Sequence, residues 1–207
     1  MTAREEILAA VRAAVAEAPQ PEPVAKRPEV AVPDRADMLD RFAELVEDYQ
    51  ATVIRCTPPE VTAQVLFALG DARRVLLPKG VPEAVVEAVT GRVGADATSQ
   101  GDGPDVELEV YDTVVTTCAA GIAATGTVVL DHSAGQGRRA LTLLPDRHVC
   151  IVRADQVVAD VPEVMRRLDP VRPQTWISGP SATSDIELSR VEGVHGPRRL
   201  TVILAGN

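Results

Sequence analysis

Aromatic side chains are nearly missing from this chain: one Trp, two Tyr and two Phe make up 2% of its 207 residues. Hydrophobic residues still reach 45%, so the core must be built from Val, Leu, Ile and Ala, as in stacked β and α layers. Blocks of Lys and Arg are also absent, and the formal net charge is −9. Without a basic face or aromatic stacking platforms, nucleic acid is excluded as a partner. No run of about 18 apolar residues occurs, so no membrane-spanning helix is expected. Residues 2–17 alternate charged and apolar side chains and lack the continuous apolar stretch of a signal peptide. Cysteine is scarce and scattered. Cys56, Cys118 and Cys150 form no Cys-x-x-Cys, which argues against a disulfide framework and against an iron–sulfur motif on this chain. They read as small buried hydrophobes in a cytoplasmic protein. A phosphate-binding P-loop and a Gly-x-Ser-x-Gly elbow are missing too, which argues against an ordinary NTPase or a serine hydrolase.

What is present is periodicity. Thr2 and Glu5 stand at capping-box spacing, and Ile7, Leu8, Val11 and Val15 line one face of a first helix. Pro19, Pro21, Pro23, Pro28 and Pro33 make residues 18–36 an extended linker. Residues 1–36 are therefore expected to be an arm, and residues 37–207 a domain. Within the domain, Met38 to Tyr49 marks a helix and Thr52–Arg55 a strand. Thr57-Pro-Pro-Glu60 opens a second helix that Gly70 stops. Arg74–Leu77 reads as a strand, Pro82–Val89 as a helix ending near Gly91, and residues 91–105 as a surface loop. Val106, Leu108 and Val110 alternate with acids, which predicts a half-exposed edge strand. Further strands are expected at Thr113–Thr117, Thr127–Leu130, His148–Val152, Thr175–Ser178 and Leu200–Leu204, with a helix from Asp160 to Leu168. Alternating strands and helices predict an α/β fold with a mostly parallel sheet and helices on both faces. The strands near 113 and 127 are the candidates for antiparallel pairing.

The densest chemistry lies between Trp176 and Pro197. Gly179-Pro180 turns the chain, and Ser181 is placed to cap a following helix with Asp185 in its first turn. Three Gly-rich segments, Cys118–Thr127, Asp131–Arg139 and Ser178–Asp185, can stand beyond strand C-terminal ends, where open α/β sheets gather ligands. They are expected to share a pocket; three ordinary turns are the alternative. Gly135-Gln-Gly137-Arg-Arg-Ala140 matches the dinucleotide fingerprint formally. However, Asp131–Ala134 separate it from the strand, and Pro145 leaves little room for a helix. Arg138 and Arg139 are then candidate anion contacts, because a guanidinium fork matches carboxylate or phosphate. Solvated surface arginines are an equal alternative. Thr125, Gly126 and Thr127 offer hydroxyls and N–H groups, as do Ser178, Gly179, Ser181 and Thr183. His195 is the best acid/base candidate, with Asp185 beside it in the motif; otherwise it braces the turn before the last strand. The remaining histidines, 132 and 148, are scattered, so no metal site is expected. No complete nucleophile–base–orienter set is visible, and whether the chain is an enzyme stays open.

Four segments in order carry a family resemblance: Gly121-Ile-Ala-Ala-Thr-Gly-Thr127, Leu141-Thr-Leu-Leu-Pro145, Ser178-Gly-Pro-Ser-Ala-Thr-Ser-Asp-Ile-Glu187 and Gly193-Val-His-Gly-Pro197. Over about residues 37–205 the chain resembles the LUD-domain family of lactate-utilization proteins, in its protein C branch. The resemblance implies a NagB/RpiA/CoA-transferase-like fold, a three-layer α/β/α Rossmann-like arrangement that the alternation reaches independently. It implies a cytoplasmic subunit or accessory protein of L-lactate oxidation to pyruvate. That protein would bind no cofactor itself and would work with companion proteins A and B, which carry the iron–sulfur clusters. It also carries Thr125, Gly126, Thr127, Ser178, Gly179, Pro180, Ser181, Thr183, Asp185, His195 and Gly196 over as motif positions. One position departs: the family commonly has Glu before Thr-Gly-Thr, and here Ala124 stands there, which counters covalent carboxylate catalysis. The expected function is binding of a small carboxylate or phosphorylated ligand, with Arg138 or Arg139 on the anion and His195 with Asp185 managing protons. The alternatives are a non-catalytic assembly protein for iron–sulfur partners, and an independent acyl- or phospho-sugar-type enzyme.

Overall fold

The computed structural model describes residues 2–17, 34–183, 191–192 and 196–206, and the chain divides between residues 31 and 32 into two units. Most of the expected linker lies outside the described residues. In the first unit, α1 (Ala3–Glu17) is closed by the expected capping box. The Thr2 N–H donates to Glu5 Oε2 at 2.7 Å, and the Glu5 N–H to Thr2 Oγ1 at 3.4 Å. Ile7, Leu8, Val11 and Val15 are exposed.

The second unit opens with α2 (Arg35–Asp48), which buries the stripe Met38, Leu39, Phe42, Ala43 and Val46. In chain order there follow β1 (Thr52–Cys56), α3 (Val61–Leu69), β2 (Val75–Leu76), α4 (Glu83–Val93), β3 (Thr98–Ser99) and α5 (Asp105–Leu108). Next come β4 (Thr113–Thr117), β5 (Ala120–Ile122), β6 (Thr127–Leu130), β7 (Arg147–Arg153), β8 (Val157–Val158) and α6 (Val161–Arg167). The unit closes with β9 (Thr175–Ile177), β10 (Ala182–Thr183), β11 (Val191–Glu192) and β12 (Arg199–Ala205).

Six strands form one all-parallel sheet in the order β1-β12-β7-β4-β2-β3. Its central strands are continuous apolar runs because both faces are covered. On one face α3 and α4 bury Val65, Leu69, Val85 and Val89 against Val115, Val149, Ile151 and Ile203. On the other lie α2 and a second sheet, β8-β5-β6-β9, through Phe42, Val46, Val128 and Leu130 against Cys150, Val202 and Leu204. Helix α6 closes the outer face of that small sheet by setting Val164 against Ala120, Ile122 and Val129. The fold is thus α/β, with a mostly parallel sheet between flanking layers. Among the described residues, no helix is long and apolar enough to cross a membrane.

Several local expectations give way. The segment 91–105 is not all loop: it holds edge strand β3, and the Leu77 N–H donates to Ser99 O at 2.8 Å. Helix α4 runs through Gly91 and stops at Gly94, whose φ of 94° needs no Cβ. The 106–110 alternation is one helical turn, not a strand. Pro104 precedes it and Asp105 and Glu107 fill its first turn, which buries Leu108 and leaves Val106 and Val110 exposed. The strands near 113 and 127 do not pair, because β4 and β6 belong to different sheets. The antiparallel partners of β6 are β5 and β9. Ser181 precedes strand β10, where a helix was expected.

The small sheet and α2 meet at Gly126, whose φ is 59°. A Cβ there would stand 2.6 Å from the Leu45 carbonyl carbon and 2.7 Å from the Val46 nitrogen. Gly126→Ala is expected to destabilise the domain by about 3 kcal/mol, through left-handed strain and collision with backbone. Thermal unfolding should then read a melting temperature roughly 6–12 °C lower.

Candidate functional site

Two cavities lie at opposite ends of the parallel sheet. The first collects the motif residues. Strand β9 delivers the Ser178–Ser181 turn toward the N-terminal ends of β7 and β12, where His148 and Leu200 stand in register. A cavity of about 290 Å³ lies there, lined also by Arg139, Thr142, Thr175, Trp176 and Gly196. Thr142, His148 and Thr175 are buried polar groups on its walls. His148 Nε2 and Thr116 Oγ1 are 2.7 Å apart, and Thr175 Oγ1 is 3.0 Å from His132 Nε2. Behind Ser178 runs a hydroxyl chain. Thr125 Oγ1 is 2.7 Å from Thr127 Oγ1, which is 2.8 Å from Ser178 Oγ. The Ser181 N–H donates to Pro197 O at 2.8 Å, tying the turn to the segment that enters β12.

The predicted glycines have a different task. A Cβ at Gly179, where φ is 89°, would stand 2.7 Å from Tyr49 Cβ and Tyr49 O. Gly126 and Gly179 therefore both admit the C-terminal end of α2 at close range, so their absent side chains serve packing. Thr183 lies in β10. Asp185 and His195 lie outside the described residues.

The paired arginines separate. Arg138 forms an ion pair with Asp105 and donates to the carbonyls of Gly101 and Gly103, so its fork is occupied in holding the 101–105 segment. Arg139 has no carboxylate partner among the described residues, and it lines the motif cavity. His132, at φ 56°, braces the same loop by placing Nδ1 2.8 Å from Gly137 O. Burial pushes the neighbouring Asp131 carboxyl up. Hydrogen bonds from Ser133 and the Arg172 and Gln136 side chains outweigh that and hold it below the usual carboxylate range.

The three Gly-rich segments do not share one pocket beyond strand C-terminal ends. The motif cavity sits at the N-terminal ends of β7 and β12, because Cys118–Thr127 and the chain before Ser178 build the small sheet. The segment Asp131–Arg139 spans both ends. Its Gly135 N–H donates to Lys79 O, and its Gly135 O accepts from the Thr117 N–H, each at 2.8 Å, at the ends of β2 and β4.

The second cavity, about 750 Å³, is a cleft at the C-terminal ends of β4, β7 and β12, reached by Thr117, Arg153 and Ala205. The first turns of α3 and α4 border it through Val61, Thr62, Ala84 and Val85. Arg153 grips Asp155 by two bonds of 2.9 and 3.1 Å, which holds that carboxyl below its ordinary range. Arg35 Nη1 donates to Val157 O at 2.9 Å. Gln156 Nε2 donates to Cys118 O at 2.7 Å, and Gln156 Oε1 accepts from the Arg153 N–H at 3.0 Å. Sequence reasoning missed Arg35, Thr117, Arg153, Asp155 and Gln156, which belong to no motif. The available signal was position, since Thr117 and Arg153 are the last residues of parallel strands.

Cys118 and Cys150 lie buried between the two sheets. Its contact with Cys150 and its burial away from water push the Cys118 thiol well up, and its Sγ donates to Gln156 Oε1 at 3.7 Å. The Cys118, His148 and Thr116 side chains beside it pull the Cys150 thiol down against its burial.

Comparison with known proteins settles the family. Residues 98–205 match the family model of the LUD domain. A protein named lactate utilization protein C from Deinococcus radiodurans is 44% identical over 211 residues, spanning 99% of this chain and 96% of that one. The chain belongs to the LUD-domain family, in its lactate utilization protein C branch. An Escherichia coli K12 relative named uncharacterized protein YkgG is 35% identical over 190 residues, covering 80% of this LUD protein and 78% of its own length. A crystal structure of a DUF162 family protein from Deinococcus radiodurans matches with a TM-score of 0.68 at 39% identity, over 84% of this chain and 99% of that one. The matched LUD region begins at β3, so it includes the small sheet and the lining of the motif cavity described above.

The two arginines should behave differently when truncated. Arg138→Ala is expected to lower stability by about 1 kcal/mol, from an exposed ion pair together with two carbonyl hydrogen bonds. Arg139→Ala should stay within about 0.5 kcal/mol of the parent. Denaturant unfolding of both variants checks the contrast.

Proposed function

We propose that this LUD-domain protein serves L-lactate oxidation to pyruvate in the cytoplasm, as a subunit or accessory protein that binds a small carboxylate in the motif cavity. The process is supported by relatives named lactate utilization protein C, from Deinococcus radiodurans and Shouchella clausii. The site is supported by one observation above all. Arg139, without a carboxylate partner among the described residues, meets the Ser178–Ser181 turn in a cavity of about 290 Å³. That volume is at the lower end of ligand-binding cavities and suits a three-carbon acid better than a nucleotide.

In this reading the planar fork of Arg139 takes the carboxylate in two parallel hydrogen bonds. Ser178 meets the neighbouring oxygen of the ligand. Thr127, itself joined to Thr125, holds the Ser178 hydroxyl in place, and that hydroxyl can donate to a keto oxygen or accept from a ligand hydroxyl. His195, with Asp185, takes the proton that the lactate hydroxyl loses and passes it to solvent. Oxidation of lactate to pyruvate releases two electrons and two protons; iron–sulfur clusters of companion proteins A and B would accept the electrons, and this chain contributes ligand binding and orientation. A second reading, a non-catalytic assembly protein, draws on the exposed apolar side chains Ile7, Val11 and Val15 of α1, which stand at helical spacing.

Calorimetric titration with L-lactate and pyruvate tests the site. Arg139→Ala and Ser178→Ala should each weaken binding at least tenfold, equivalent to about 1.4 kcal/mol. Lactate binding by Arg139→Ala at parental affinity would sink the carboxylate reading. Loss of companion binding on deletion of residues 1–36, with the domain still folded, would favour assembly.

A further inference from the structure

We propose that the cleft at the C-terminal ends of β4, β7 and β12 is a second ligand site, separate from the motif cavity, and that it takes a nucleoside phosphate. The first argument is size. At about 750 Å³ the cleft is more than twice the motif cavity. A three-carbon acid would leave most of it filled with water, whereas a nucleotide occupies a volume of this class.

The second argument is the division of its walls. From the α3 and α4 side come Pro58, Val61, Pro82 and Val85, an apolar surface against which a flat base can lie. From the opposite side come Arg35 and Arg153. Both keep donors available. Arg35 uses one nitrogen on the Val157 carbonyl, which anchors its fork without neutralising it. Arg153 pairs with Asp155 only two residues away, and the two side chains are 63% and 71% exposed. An exposed pair of that kind is weak, so a phosphate can replace the carboxylate at small cost. The first turn of the eleven-residue helix α4 borders the same space, its positive end partly offset by Glu83. This geometry owes nothing to the Gly135–Ala140 pattern, whose Gly135 is engaged with Lys79 and Thr117. With no P-loop in the chain, the role inferred is binding of the nucleotide, not transfer of its phosphate.

Calorimetric titration of the full-length protein with ADP, AMP, adenosine and inorganic phosphate tests the site. ADP is expected to bind, with adenosine and phosphate each at least tenfold weaker. Arg153→Gln should weaken ADP at least tenfold. Ala84→Trp, at an exposed position on α4, should block the cleft without disturbing the core. Arg139→Ala should leave ADP affinity unchanged, while both cleft variants keep whatever lactate affinity the parent has. The two sites therefore stand or fall separately. Absence of ADP binding up to millimolar concentration overturns the proposal. So does parental ADP affinity in folded Ala84→Trp protein, or loss of ADP binding in Arg139→Ala.

Discussion

The contact between the C-terminal end of α2 and two glycines holds the motif cavity in place. Leu45 and Val46 lie against Gly126, and Tyr49 against Gly179, at distances that leave no room for a Cβ. Through the first contact α2 fixes the turn between β5 and β6, and through the second the turn that leaves β9. The hydroxyl chain from Thr125 to Ser178 joins those same two turns. Its geometry is consequently set by how closely a helix approaches backbone. Side-chain hydrogen bonds then refine a spacing that sterics have already imposed.

The two ends of the parallel sheet have been put to different uses by different physics. At the C-terminal ends, strands stop, helices begin, and a broad cleft opens as in other open α/β sheets. At the N-terminal ends, the small sheet returns over β7 and β12 and encloses a smaller space with buried polar walls. Between the ends runs a file of soft and polar groups, from Gln156 through Cys118 and Cys150 to His148. The adjacent arginines mirror this economy. Consecutive side chains diverge, so Arg138 is turned to Asp105 while Arg139 reaches the cavity.

Much of this architecture was legible in the sequence, for identifiable reasons. Local chemistry was reliable where one rule acted alone. Thr57-Pro-Pro-Glu60 starts a helical segment as expected, with Glu60 Oε2 accepting from the Thr57 N–H, Gly70 stops α3, and Asp160 caps α6 by accepting from the Glu163 N–H. The 106–110 segment misled because three alternating apolar residues fit a strand and a single helical turn equally well, and the deciding residue was Pro104. The small sheet was hidden for another reason. Its strands have two to four residues, and β6 finds a partner in β9 far along the chain. The family motifs pointed to Ser178 and the glycine loop to Arg139, but neither pointed to what surrounds them. Nothing in the sequence tied Arg138 to Asp105 or assembled Arg35 with Arg153, since those encounters are made by tertiary packing.

The sheet order has a consequence for how the domain comes into being. The first strand of the domain, β1, pairs with β12, the last, and β12 lies between β1 and β7. During synthesis, therefore, β1 emerges early and waits with its hydrogen-bonding edge unsatisfied until almost the whole chain has been made. The final strand then completes the sheet from within, between two neighbours already formed. Such a domain folds by long-range closure late in translation, and its first strand is the part most in need of protection until then.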